Sequence, residues 1–297
     1  MHESAVDRAE GYWFEPRNKF FLANKAIVEH EMRPGRTVSF LSEVDLTEVE
    51  RIRANAPRPS RPSYTTFVVK AVAMALRDFP YANRRVARRG VWPFGGPRLQ
   101  AFAGRDVAVA VERDVPGAEG TAFLDVLRDA DEAPLDRITL GLQALARADV
   151  ATNPQWREFS GLIRRFPPWM ASLLIRIPVY SPRHWVRYRG GPALVSSPSK
   201  YGVDAVLGTW PYPIGVSFGL VKRRPVVVGD AVEPRPTFFL TLNFDRRVMA
   251  GAQAARFFKR MVDALERAET DMAPYMTPEV PLTRVDFPTV DIPTREK

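Results

Sequence analysis

The sequence predicts an α/β fold, a sandwich in which a mixed β-sheet is covered by helices on one face. Three observations carry this. Segments of strand and helix period interleave along the chain, but without the regular βαβα beat of a doubly wound sheet. No Gly-x-Gly-x-x-Gly turn follows any predicted strand. One long segment, Ser63 to Phe79, is apolar nearly all round, as a helix buried against a sheet must be.

In chain order, Arg17 to Glu31 has apolar residues at helical spacing and ends near Pro34-Gly35. Thr37 to Asp45 alternates as a strand does. Asp45 and Glu48 have the spacing of a capping box for a helix through Ile52 to Ala54. The apolar helix that follows is closed by Pro80, which disfavours helical backbone before it. Residues 84–128 divide into strands at Gly and Pro, with Asp106 to Glu112 the clearest. Pro134 to Ala148 returns to the helical period. Asn153 to Arg189 fits neither period: Pro154, Pro167, Pro168, Pro178 and Pro182 interrupt it among tryptophans and arginines. Short strands are expected at Ala193 to Ser196, Ile214 to Val221, Pro225 to Val228 and Thr237 to Asn243, then a helix over Ala250 to Ala268. The Pro- and Thr-rich segment from Ala273 to Lys297 is expected to lie extended or loose.

Composition removes several functions. With no cysteine there is no disulfide, thiolate metal site or cysteine nucleophile. Three histidines, His2, His30 and His184, lack metal-ligand spacing, so no metal is expected. A charge of +9, mostly arginine, favours anionic partners in general. No nucleic-acid motif accompanies it, and no nucleic acid is expected. Met1 to Glu10 contains no apolar signal core and no run approaches the ~20 apolar residues of a membrane span, so a cytoplasmic location is expected.

Three stretches, in order, carry a resemblance. Ser42-Glu-Val-Asp-Leu-Thr-Glu-Val49 precedes the apolar helix running to Asn83. Val195-Ser-Ser-Pro-Ser-Lys-Tyr-Gly-Val-Asp204 is similar to a strand-turn of the form I-S-N-L-G-x-x-G-V-D. Asn243-Phe-Asp-Arg-Arg-Val-Met-Ala-Gly-Ala-Gln-Ala-Ala-Arg-Phe257 is similar to F-D-H-R-x-x-D-G-A-x-A-A-R-F. Together they resemble the catalytic domain of the dihydrolipoamide acyltransferases of 2-oxoacid dehydrogenase complexes, relatives of chloramphenicol acetyltransferase, over roughly residues 20–268. The resemblance implies the chloramphenicol-acetyltransferase-like sandwich over residues 21–270, with an N-terminal extension at 1–20 and an extended tail at 271–297. It also implies a homotrimer with sites at subunit boundaries, and coenzyme A or acyl-CoA as substrate. No lipoyl attachment is expected in this chain.

The resemblance makes Ser196 the donor to a tetrahedral oxyanion and places Arg246 where the family has its histidine base. Asp245, Arg247 and Gly251 match the motif, while Ala250 replaces its acid. Ser197 and Ser199 stand at the family's Asn and Gly. A guanidinium keeps its proton at any working pH, so Arg246 is no base; losing a general base costs about 10²–10⁴ in rate. Two readings follow: an acyltransferase whose site is rewired, with Arg246 stabilising a thiolate or His30 or His184 recruited as base, and a non-catalytic trimeric scaffold or acyl-CoA-binding pseudoenzyme. Ser196 also reads as a plain strand-end cap, and Asp245 with Arg247 as a turn-holding pair. Residues 164–189 read as a membrane-surface segment or, in preference, as a lid or subunit-packing element, because apolar faces usually pack.

Overall fold

The computed structural model describes residues 11–14, 36–58, 60–89, 96–115, 118–149, 151–166, 170 and 177–276. Its main sheet has the order β2 (Thr37–Asp45), β10 (Ala231–Asp245), β8 (Ile214–Phe218), β7 (Ala193–Ser196), β5 (Val107–Val115), β6 (Ala118–Leu127), and β9 (Lys222–Val228) pairs the outer half of β10. β7 runs parallel to both β5 and β8 while the other pairs are antiparallel, so the sheet is mixed. A separate three-stranded sheet joins β1 (Tyr12–Phe14), β4 (Gly96–Phe102) and β3 (Arg84–Arg89).

Alternation divides the main sheet into two faces. Val107 and Val109 of β5, Val195 of β7, Val216 of β8, and Leu240, Leu242 and Phe244 of β10 face the main core. Against them pack α1 (Thr47–Asn55), α2 (Tyr64–Asp78), α3 (Leu135–Arg147) and α7 (Gly251–Glu266), followed by the short α8 (Ala268–Asp271). α2 starts from a complete capping box between Ser63 and Thr66. The expected box at Asp45 does not form. Asp45 Oδ1 instead accepts from the backbone N–H and hydroxyl of Thr47, at 2.9 and 2.6 Å, and Glu48 accepts from the Glu269 N–H at 2.9 Å. β2 ends too late for Asp45 to serve as the cap.

The second face is covered by α6 (Pro182–Arg189), whose Trp185 packs with Phe102, Ala108, Leu194 and Tyr212, and by the loop before β8. The Pro-rich segment before it contributes α4 (Pro154–Arg165), twelve residues long, and α5 (Ile177–Tyr180), four residues and too short to carry a helical period. The expected helix over 17–31 and the tail beyond Met276 lie outside the described residues. The first residues of that tail are packed: Met272 is buried, and the Tyr275 ring lies against α2.

Candidate active site

Ser196 closes β7. Leu194, two residues earlier and on the same face, belongs to the Trp185 cluster, so the Ser196 side chain points to the face away from α2 and α7. The turn beyond it is tied down on both sides. Ser197 Oγ donates to Phe218 O at 2.9 Å, Lys200 pairs with Glu112 of β5 at 2.7 Å, and the Tyr201 hydroxyl donates to the same carboxylate. Gly202 ends the turn in the left-handed region.

Across the sheet Ser196 is level with Ser217 of β8, and Ser217 with Thr241 of β10. The Ser217 and Thr241 hydroxyls lie 2.6 Å apart and both bond to Val206 O. One row over, Asn243 Oδ1 accepts from Ser39 Oγ at 2.6 Å and from the Gly208 N–H at 3.1 Å. This polar ladder fastens the 203–210 loop onto the sheet, and Trp210 rests on Gly215, where a Cβ would fall 2.3 Å from the indole. Ser217 and Thr241 carry no motif of their own in the sequence. Their signal is Thr241 and Asn243 alternating with Leu and Phe in a strand buried on both faces. Among the described residues the Ser196 hydroxyl makes no hydrogen bond, unlike its three hydroxyl neighbours.

The second candidate cluster follows β10. Asp245 O accepts from the N–H groups of Val248 and Met249, closing a turn whose apolar residues are buried. The Asp245 carboxylate accepts the Arg247 N–H at 2.9 Å and the Arg247 guanidinium at 2.6 Å. Asp245 and Arg247 are thus joined to each other within the turn. The backbone N–H of Arg246 donates to Arg36 O at 3.0 Å, tying the turn to the start of β2. At the N-cap of α7, Gln253 Oε1 accepts the Ala250 N–H at 3.0 Å, but alanine has no oxygen to return the bond. Gly251 opens the helix with free space around it.

The two clusters do not meet within one chain. Arg246 lies five residues beyond Thr241, the residue level with Ser217 and hence with Ser196, and five residues of strand span roughly 17 Å. His184 hydrogen-bonds to neither Ser196 nor Arg246 among the described residues. It is exposed on α6, with Nδ1 2.8 Å from the Ser181 hydroxyl that caps that helix. His2 and His30 lie outside the described residues. Among the described residues no group of His, Asp and Glu is placed to hold a metal, and no helix is long and apolar enough to cross a membrane.

Lys70 is a buried charge that the sequence reading absorbed into an apolar helix. It is fully buried, and its three ammonium protons match three backbone acceptors: Ala130 O at 3.2 Å, Asp131 O at 2.6 Å and Ala133 O at 2.8 Å. The Tyr275 ring covers it. It is structural: it clamps α2 to the turn before α3. A lysine amid Val and Ala in such a helix was the signal.

The sequence matches the family model for the 2-oxoacid dehydrogenases acyltransferase (catalytic domain) over residues 31–161 and 188–273. It is 27% identical over 209 residues to the dihydrolipoyllysine-residue acetyltransferase component of the pyruvate dehydrogenase complex of Zymomonas mobilis, covering 68% of this chain and 37% of that protein. It is 25% identical to the lipoamide acyltransferase component of the branched-chain alpha-keto acid dehydrogenase complex of Pseudomonas aeruginosa, covering 78% and 46%. The chain thus spans less than half the length of these curated relatives. Among solved structures, the fold matches dihydrolipoamide acetyltransferase of Azotobacter vinelandii with a TM-score of 0.59 at 20% identity, over 92% of this chain and 99% of that one. A chloramphenicol acetyltransferase matches with a TM-score of 0.52 at 14% identity, over 86% and 99%. The expected sandwich is therefore the observed one. The family match leaves out residues 162–187, which carry α5 and most of α6.

Proposed function

Because the chain belongs to the 2-oxoacid dehydrogenase acyltransferase family, in its catalytic domain, we propose that it transfers acyl groups between coenzyme A and a thiol-bearing acceptor without a histidine base. The state of the Ser196 hydroxyl supports this most directly. Its neighbours Ser197, Ser217 and Thr241 spend their hydroxyls on the sheet and the loop, whereas Ser196 is left to donate to a developing oxyanion. The azotobacter structure comes from work on a serine, a histidine and an asparagine in that enzyme's mechanism; in this chain Ser196 takes the serine's part and Arg246 stands where the histidine would.

The chemistry then runs on a thiol that ionises in water. A free thiol with a pKa near ~8.5 is a few per cent thiolate at neutral pH. Arg246 of one copy stabilises that thiolate. The thiolate attacks the thioester carbonyl, Ser196 of a neighbouring copy donates to the oxyanion, and the coenzyme A thiolate leaves. Two copies are required because the clusters stand at opposite ends of the sheet, and a homotrimer supplies such a boundary at each site. The test is incubation of the full chain with acetyl-CoA and thiol, amine and alcohol acceptors, scored by free coenzyme A release. Release that depends on acceptor and falls in Ser196→Ala supports the reading; no release with any acceptor removes it.

A second reading, an acyl-CoA-binding trimer without turnover, is favoured by one observation. The only acid retained in the motif, Asp245, is committed to Arg247. Saturable acetyl-CoA binding with no coenzyme A release is its signature.

A further inference from the structure

Trp185 gathers two arginines, Arg85 and Arg189, at one ring. Arg85, the second residue of β3, is 3% exposed, and its guanidinium carbon lies 4.1 Å from the indole centroid. Arg189, at the end of α6, places its guanidinium carbon 5.4 Å from the same centroid and 5.5 Å from the Tyr212 ring. Gly190, in the left-handed region at φ 65°, turns the chain directly behind Arg189, and there a Cβ would strike Val126 at 2.5 Å. The end of α6 is therefore held against β6.

Part of the Arg85 fork is satisfied. Nε donates to Gln100 Oε1 at 2.8 Å and Nη1 to Val179 O at 3.0 Å. Among the described residues, Arg85 Nη2 and Arg189 Nη1 are buried and find no acceptor. Neither arginine is ion-paired among the described residues. The neighbouring acid, Asp106, is committed to Arg128 at 2.5 Å and to the Asp129 N–H. Other arginines meet acids, Arg260 with Asp78 and Asp271 and Arg235 with Asp45 and Glu233, while Arg61 and Arg105 each keep a buried Nε without an acceptor.

Such an arrangement is costly as it stands. Buried N–H groups of a cation that lack an acceptor are among the most destabilising features a fold can keep, and two like charges at one ring add repulsion. Burial, and then Arg189, push the Arg85 guanidinium down to about 9. One oxyanion would answer both deficits, since a carboxylate or phosphoryl oxygen accepts charge-assisted hydrogen bonds from one N–H of each guanidinium. Val179 and Trp185 fall in residues 162–187, which the family match leaves out, while Arg85 and Arg189 lie within it.

We propose that Arg85 and Arg189, stacked about Trp185, form an anion site that holds one oxyanion group, carboxylate or phosphoryl, of a small-molecule ligand between Arg85 Nη2 and Arg189 Nη1. Through Leu194, which packs with Trp185, the site lies on the face of the sheet that carries Ser196. It does not depend on acyl transfer, and either reading can fail alone.

The test is thermal unfolding of the full chain at fixed ionic strength, with sodium chloride replaced stepwise by inorganic phosphate in one series and by acetate in another. A saturable rise in Tm is expected with at least one of them. Response to phosphate alone assigns a phosphoryl ligand, response to acetate alone a carboxylate, and response to both the shared oxyanion chemistry. Arg85→Gln and Arg189→Gln should each shift half-saturation at least tenfold, while Arg187→Gln, exposed on the same helix, should not. Should Arg85→Gln fail to fold, the half-buried Arg189 decides the matter alone. No saturable rise in either series, or an equal shift in Arg187→Gln and Arg189→Gln, overturns the site.

Discussion

Ser196 and Arg246 stand at opposite ends of one sheet: Ser196 is level with Ser217 and Thr241, and Arg246 follows β10 five residues further on. A separation of roughly 17 Å is far beyond hydrogen-bond reach, so a site using both draws them from different copies. The prediction is complementation. Ser196→Ala and Arg246→Ala should each depress coenzyme A release, by about 10²-fold or more for the oxyanion donor. When the two variants are unfolded together and refolded at equal amounts, about one quarter of boundaries regain both native side chains. Release should recover to that fraction of wild type, and no recovery would place both residues' roles within single chains.

A base-free mechanism has its own pH signature. With a histidine base the rate levels off above its pKa, near ~6.5. With a thiol that ionises alone, release should keep rising with pH toward ~8.5, following the thiolate fraction. Arg246→Ala removes the cation that favours the thiolate, so its profile should move to higher pH. Arg246→His should bend the profile near ~6.5. Initial rates between pH 5.5 and 9 decide this, and a wild-type plateau below pH 7 would point to a histidine supplied from elsewhere.

Lys70 makes stability itself pH-dependent. Burial lowers its pKa from 10.5 to about 7; Asp131 and Glu132 oppose the shift and Arg77 adds to it. Between those values the unfolded chain holds a proton that the folded chain lacks, so this group's contribution to stability rises with pH across the window and falls on acidification toward 7. Lys70→Met should abolish that slope. It also strips the donor from three buried carbonyls, at a cost of roughly 2–4 kcal/mol. Urea unfolding of both proteins at pH 6.5 and 9.5 measures each effect, and parallel pH dependence in the two would assign the slope to other groups.

How far these features were legible depends on their period. β2 and β7 fall on the expected residues because alternation and flanking turns mark a strand locally, and α2 is legible as a run apolar nearly all round that stops before Pro80. Asp45 misled because the same pattern suits a strand end whose carboxylate turns back on Thr47. α5 and α6 are too short for a helical period to emerge between prolines. Arg85 and Arg189 were indistinguishable from solvated arginines, since burial of a charge is a property of the partners that pack over it. Ser196 and the Asp245–Gly251 turn were readable from motif order alone, but the gap between them appeared only once strand register was known.

The final prediction separates structure from chemistry in the motif that opens α7. Ala250 has φ −74° and ψ 162°, the extended geometry of an N-cap, and Gln253 already supplies half of a capping box. An aspartate there can accept from the N–H groups of the first turn and place negative charge at the positive end of the helix dipole. Ala250→Asp should therefore stabilise the fold by about 1 kcal/mol. Gly251→Ala should add about 0.5 kcal/mol by restricting the unfolded chain, because nothing lies within 4 Å of its Cβ position. Neither change supplies a base, so neither alone should raise coenzyme A release, whereas Arg246→His with Ala250→Asp should. Urea midpoints and release rates on the same three variants test this. Loss of stability in Ala250→Asp would mean that a neighbouring copy packs against the cap and that the N-terminus of α7 is part of the subunit boundary.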